Sequence, residues 1–119
     1  MKTHTIGFDH AWQGIIHAFS HHPNFLIHLL LGSTALLASV LLQVSRFELL
    51  ILLSLFMLGL VIEMINTSIE SVVDLVTQKH RQSAKIAKDV SAGAMLIYAV
   101  GSSLIATAIL LPRILILIT

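Results

Sequence analysis

No cysteine occurs among the 119 residues. A disulfide framework, a thiolate metal site and a cysteine nucleophile are therefore excluded. Charge is scarce: Asp, Glu, Lys and Arg make up 11% of the chain, against roughly 25% in an ordinary soluble domain. There is no Gly-x-x-x-x-Gly-Lys-Ser/Thr loop and no soluble-kinase signature, so any nucleotide site has to be built from helices. No internal repeat, low-complexity run or Gly-rich linker is visible. Histidines and Asp9 interrupt residues 1–23, which are accordingly expected not to be a cleavable signal peptide.

What fills the chain instead is apolar. Hydrophobic residues are 56% of the total and the mean hydropathy is +0.93, too high for a soluble domain of this size. The composition predicts a single all-α integral-membrane domain over residues 1–119. Residues 6–22 read as an amphipathic surface helix, with Phe8, Trp12, Ile15, Ile16 and Phe19 on one side and His10, Gln13, His17 and His21 on the other. Pro23 is expected to break that helix. Three spans follow, at 24–43, at 47–76 with a polar extension, and at 85–111, where Pro112 and Arg113 are expected to end the third. Gly32 to Ala35, Ser91 to Ala94 and Gly101 to Ser103 give the first and third spans small-residue faces for close packing.

Basic residues are unevenly divided. Lys2, Lys79, Arg81, Lys85 and Lys88 fall on one side of the predicted membrane, and Arg46 and Arg113 on the other. The positive-inside rule places the N terminus and the 77–89 loop in the cytoplasm, and the protein in the cell inner (cytoplasmic) membrane.

The chemistry concentrates in Glu63-Met-Ile-Asn66-Thr-Ser-Ile-Glu70-Ser-Val-Val-Asp74. At about 100° per residue, Glu63, Glu70 and Asp74 fall within about 40° of one another on a helix, flanked by Asn66. Acids that begin inside a membrane segment are costly and mark function. Glu63 is the deepest and suits a general base for a lipid hydroxyl. Glu70 and Asp74 lie nearer water, where carboxylates and phosphate oxygens together bind Mg²⁺. Lys85, Lys88 and Asp89 share a face at the start of the third span and can meet phosphate. The competing assignment pairs the acids with Lys85, Lys88 or Arg81 as plain ion pairs. His10, His17 and His21 lie along one helix side, but a zinc or copper site needs three or four converging ligands.

These two blocks resemble the small bacterial lipid kinases, the prokaryotic diacylglycerol kinase and undecaprenol kinase family. Glu63 to Asp74 matches the family signature, and Lys85-Ile-Ala-Lys88-Asp89-Val-Ser-Ala-Gly-Ala matches its second block. Ala11-Trp12-Gln-Gly14 and Asn24-Phe-Leu-Ile-His28 resemble the N-terminal block. The resemblance implies an ATP- and Mg²⁺-dependent lipid kinase with a surface helix and three transmembrane helices, assembled as a homotrimer with active sites between subunits. It implies Glu63 as base with Asn66 in support, Glu70 as the magnesium ligand, and His10, Glu70, Lys79, His80, Arg81, Lys88 and Asp89 around ATP. Glu63, Trp12 and Ala92 would contact the lipid, undecaprenol or diacylglycerol. Two positions depart from the pattern. His22 stands where the family has a second metal-binding Glu, and Leu26 where it has an Arg; a neutral imidazole is a poorer Mg²⁺ ligand than a carboxylate. These departures favour the alternative reading, a non-catalytic membrane oligomer. A small ion channel or transporter is a third reading, weakened because the first and third spans bring no acid to meet Glu63.

Overall fold

The computed structural model describes residues 7–119 as four helices: α1 (Phe8–His21), α2 (Pro23–Leu41), α3 (Arg46–Val76) and α4 (Gln82–Ile118). Lys2, part of the charge count above, lies outside the described residues. α2, α3 and α4 are each long and apolar enough to cross a membrane, and α1 packs against α2 and α3. The protein is thus an all-helical membrane protein with three candidate spans and an N-terminal helix.

The break between α1 and α2 falls on His22, whose extended backbone (φ −124°, ψ 103°) is what a residue before proline adopts. Pro23 opens α2, where its missing N–H costs nothing. The α2–α3 turn is tight, with Gln43 in the left-handed region at φ 57°. Ser45 then caps α3 reciprocally: its Oγ accepts from the Glu48 N–H at 3.1 Å, and Glu48 Oε1 accepts from the Ser45 N–H at 3.0 Å. α3 has 31 residues, about 46 Å at 1.5 Å per residue, longer than a hydrocarbon core of about 30 Å.

α4 departs from expectation at its end. It does not stop at Pro112 but carries it inside the helix and runs on to Ile118. The tail holds no glycine and no second proline, so the helix continues past the one internal bond that Pro112 removes. Arg113 secures this end to the α2–α3 turn. Its Nη2 donates to Glu48 Oε1 at 2.5 Å and its Nη1 to the Gln43 carbonyl at 3.1 Å.

Few apolar side chains are buried: Ala18, Phe25 and Leu52 among the described residues. Leu30, Leu31, Leu37, Leu58, Ile97 and Leu104 face outward, as lipid-facing side chains do. Close approach therefore carries the helix packing. Phe56 lies against Gly32, so that a Cβ there would overlap its ring. Tyr98 lies on Gly59, where a Cβ would stand 2.6 Å from the phenolic oxygen, and that hydroxyl donates to the Leu55 carbonyl. Gly59→Ala must push Tyr98 off this bond. We expect a loss of about 1–3 kcal/mol, the usual cost of overpacking, read as a lower Tm in detergent.

Candidate active site

α3 and α4 run antiparallel, with Glu48 beside Arg113 at one end and Asp74 beside Lys88 at the other. This register brings the acidic stripe of α3 onto the first turns of α4. Glu63 is buried, with 3% of its surface exposed. One turn on, Asn66 is also buried and bonds two residues. Its Nδ2 donates to Glu70 Oε1 at 3.2 Å, and its Oδ1 accepts from Ser91 Oγ at 2.5 Å. The amide is satisfied on both sides, which fixes its orientation and holds the Glu70 carboxylate. Glu70 itself is exposed, so an oxygen remains available to a ligand.

Beyond Glu70, the acids and cations meet in pairs. Lys88 Nζ lies 2.7 Å from Asp74 Oδ1, and Lys85 Nζ lies 2.5 Å from Asp89 Oδ2. All four side chains are substantially exposed, and pairs in such positions contribute about 0–1 kcal/mol. They are weak enough to open for a phosphate. Both pairs line an open groove of about 340 Å³, together with Lys79, His80 and Arg81 from the α3–α4 linker. The plain ion-pair assignment is thus realised for Asp74, which bonds Lys88 rather than joining Glu70.

The structure assembles some predicted site residues and leaves others apart. Glu63, Asn66 and Glu70 form one cluster. Asp74, Lys79, His80, Arg81, Lys85, Lys88 and Asp89 form the groove beside it. His10 and Trp12 lie exposed on α1, and Ala92 is exposed on α4; none of them lines the groove. His22 sits at the α1–α2 break, half-buried. His17 and His21 stack with ring centroids 4.4 Å apart, and His22 is tilted 5.6 Å from His17. Yet among the described residues no three His, Asp or Glu side chains converge as a metal cage.

Ser91 is a member that the sequence alone does not mark as a site residue. It stands three residues after Lys88, on the same face of α4, and that spacing was the available signal.

Of these residues, Glu70 could serve as one ligand to Mg²⁺. That ion usually takes one or two carboxylates and completes its shell with phosphate oxygens and water, and Glu70, held by Asn66, offers one such carboxylate.

Comparison with known proteins follows the same residues. The family model described as prokaryotic diacylglycerol kinase matches residues 9–110. A diacylglycerol kinase from Synechocystis sp. is 38% identical over 111 residues, 92% of this chain and 63% of that protein. An undecaprenol kinase from Bacillus subtilis is 38% identical over 106 residues, 89% of this chain and 86% of that protein. This chain thus spans somewhat less than two thirds of the Synechocystis protein's length. The match runs through all four helices and includes both the buried acid cluster and the charged groove, and the chain belongs to the prokaryotic diacylglycerol kinase family.

Proposed function

We propose that the protein is an ATP-dependent lipid kinase that phosphorylates the hydroxyl of undecaprenol or diacylglycerol at the cytoplasmic face of the membrane. The observation that carries this reading is the juxtaposition of a buried carboxylate in a membrane helix with an open cationic groove at the end of the same helix. Phosphoryl transfer needs those two parts and a divalent ion.

The reaction follows from their positions. The lipid hydroxyl approaches Glu63 from the bilayer, and Glu63 takes its proton as the oxygen attacks the γ-phosphorus. The bond from that phosphorus to the β–γ bridging oxygen breaks in line, and ADP leaves. Lys88 and Lys85 turn from Asp74 and Asp89 to neutralise the phosphates, and the Lys79–Arg81 linker covers the nucleotide. Asn66 keeps Glu70 in place. Glu70 would hold Mg²⁺, which would supply positive charge against the charge developing on the transferred phosphate. His22, at the α1–α2 break, would be a weaker additional ligand than a carboxylate.

A homotrimer in which neighbouring copies complete each site accounts for the dispersed His10, Trp12 and Ala92. Open space over Gly93 and Gly101 of α4 supports close packing against another copy. Orientation follows the charge count: among the described residues Lys79, Arg81, Lys85 and Lys88 gather at the Glu70 end and face the cytoplasm, while Arg46 and Arg113 mark the outer end.

The test is ATP- and Mg²⁺-dependent phosphorylation of both lipids in detergent micelles, for the wild type and for His22→Glu. Product from at least one lipid is expected, with tighter Mg²⁺ dependence in the variant. No product from either lipid would favour the non-catalytic oligomer to which His22 and Leu26 point.

A further inference from the structure

The geometry points to His28 as the positioning residue for Glu63, an inference that rests on the kinase reading above. His28 Nε2 lies 3.9 Å from Glu63 Oε2. That separation is within ion-pair reach and too long for a hydrogen bond; in substrate-free enzymes catalytic contacts are often this long and tighten in the substrate complex. Among the described residues, His28 is the one basic side chain within 4.0 Å of that carboxylate. The Glu63 side chain is 4% exposed and the His28 side chain 22%, so the imidazole is the wetter partner of a nearly enclosed acid.

His28 is itself held. Its ring is tilted 6.1 Å from the ring of Tyr98, which is seated on Gly59 and anchored to the Leu55 carbonyl. One residue from each spanning helix thus meets at this level: His28 from α2, Glu63 from α3 and Tyr98 from α4. Tyr98 faces the imidazole from α4 and Glu63 faces it from α3; Glu70 and His22 are the further charged or titratable neighbours of Glu63 itself. Glu63 turns Oε2 to His28. If Nε2 donates to that oxygen, Oε1 is left aimed at the incoming hydroxyl. A general base works only when its oxygen is held within hydrogen-bond reach of the proton it takes. A long, single-bonded Glu side chain otherwise samples several rotamers. The same imidazole lines a groove of about 180 Å³ between the spans, with Gly32, Ala35 and Tyr98.

Two variants separate positioning from packing. His28→Gln keeps an N–H donor and loses the ring; His28→Phe keeps the ring against Tyr98 and loses the donor. Positioning predicts that His28→Phe lowers kcat about 10- to 100-fold, the cost of misplacing a reacting group by about 1 Å, with the KM for ATP unchanged. It predicts that His28→Gln stays within about threefold of wild type. A purely structural His28 gives the reverse order and overturns the proposal. A second readout does not depend on turnover. With carboxyl-¹³C glutamate the chain shows three side-chain resonances, from Glu48, Glu63 and Glu70, and the Glu63 signal is identified by its loss in Glu63→Gln. That resonance is expected to move in His28→Phe; an unmoved signal removes the contact. A wild type that phosphorylates neither lipid overturns the kinase reading and the role of His28 with it. An active wild type with unchanged kcat in His28→Phe overturns His28 alone.

Discussion

Glu63→Gln is expected to lower lipid phosphorylation about 10²–10⁴-fold, the range that general-base catalysis supplies, while the protein still folds and assembles. The substitution is nearly isosteric, and the buried carboxylate it replaces makes its nearest ionic contact at 3.9 Å, to His28. Removing a buried charge whose partner stands that far off is not expected to unfold the bundle. The measurement is kcat in mixed micelles alongside size-exclusion chromatography and Tm. Wild-type turnover by Glu63→Gln removes the residue from the chemistry. Equal losses of turnover and Tm reassign it to packing.

The second large effect concerns the metal. Glu70→Gln is expected to weaken the Mg²⁺ dependence of ATP use about 100-fold or more, because on the proposed reading it removes a ligand rather than a supporting group. Asn66→Ala leaves the ligand but frees its orientation, and outer-shell losses of that kind cost about 10- to 100-fold. It also strips the Ser91 hydroxyl of its acceptor in a buried site, which lowers Tm by an amount that Glu70→Gln does not share. Titrating Mg²⁺ at fixed ATP, with Tm in parallel, checks both. If Glu70→Gln shows the wild-type Mg²⁺ curve, the ion is held elsewhere.

Much of the candidate site is legible in the chain because one helix carries it. Glu63, Asn66 and Glu70 are related by helical spacing alone, and a single geometric constant places them along one face. Lys85 and Asp89 are legible for the same reason, four residues apart on α4. Ser91 and His28 are not, since each acts across an interface. A serine near a helix start reads as a small residue for close packing, and its bond to Asn66 exists only once α3 and α4 are in register. His28 falls in a block that resembles the family, but the acid it faces comes from the opposing helix and is not readable along the chain. The helix through Pro112 escapes a residue-by-residue reading too. Proline's local cost argues for a stop, but no glycine or second proline follows, and the helix absorbs the single lost bond.

The amino-acid sequence alone determined the membrane class, the three spanning runs, the acidic stripe and the family. Each rests on hydropathy, on a fixed period along one helix, or on motif identity, and none needs a second element. The tertiary structure decided which groups face one another. It assigned Asp74 to Lys88, turned Asn66 between Glu70 and Ser91, set Tyr98 against Gly59 and brought His28 to Glu63. Those pairings depend on how far one helix slides and rotates against the next. Here that is set by two glycines under aromatic rings and by an arginine tying the far ends together. Helical periodicity contains no term for the offset between helices, so only the packed bundle could specify it.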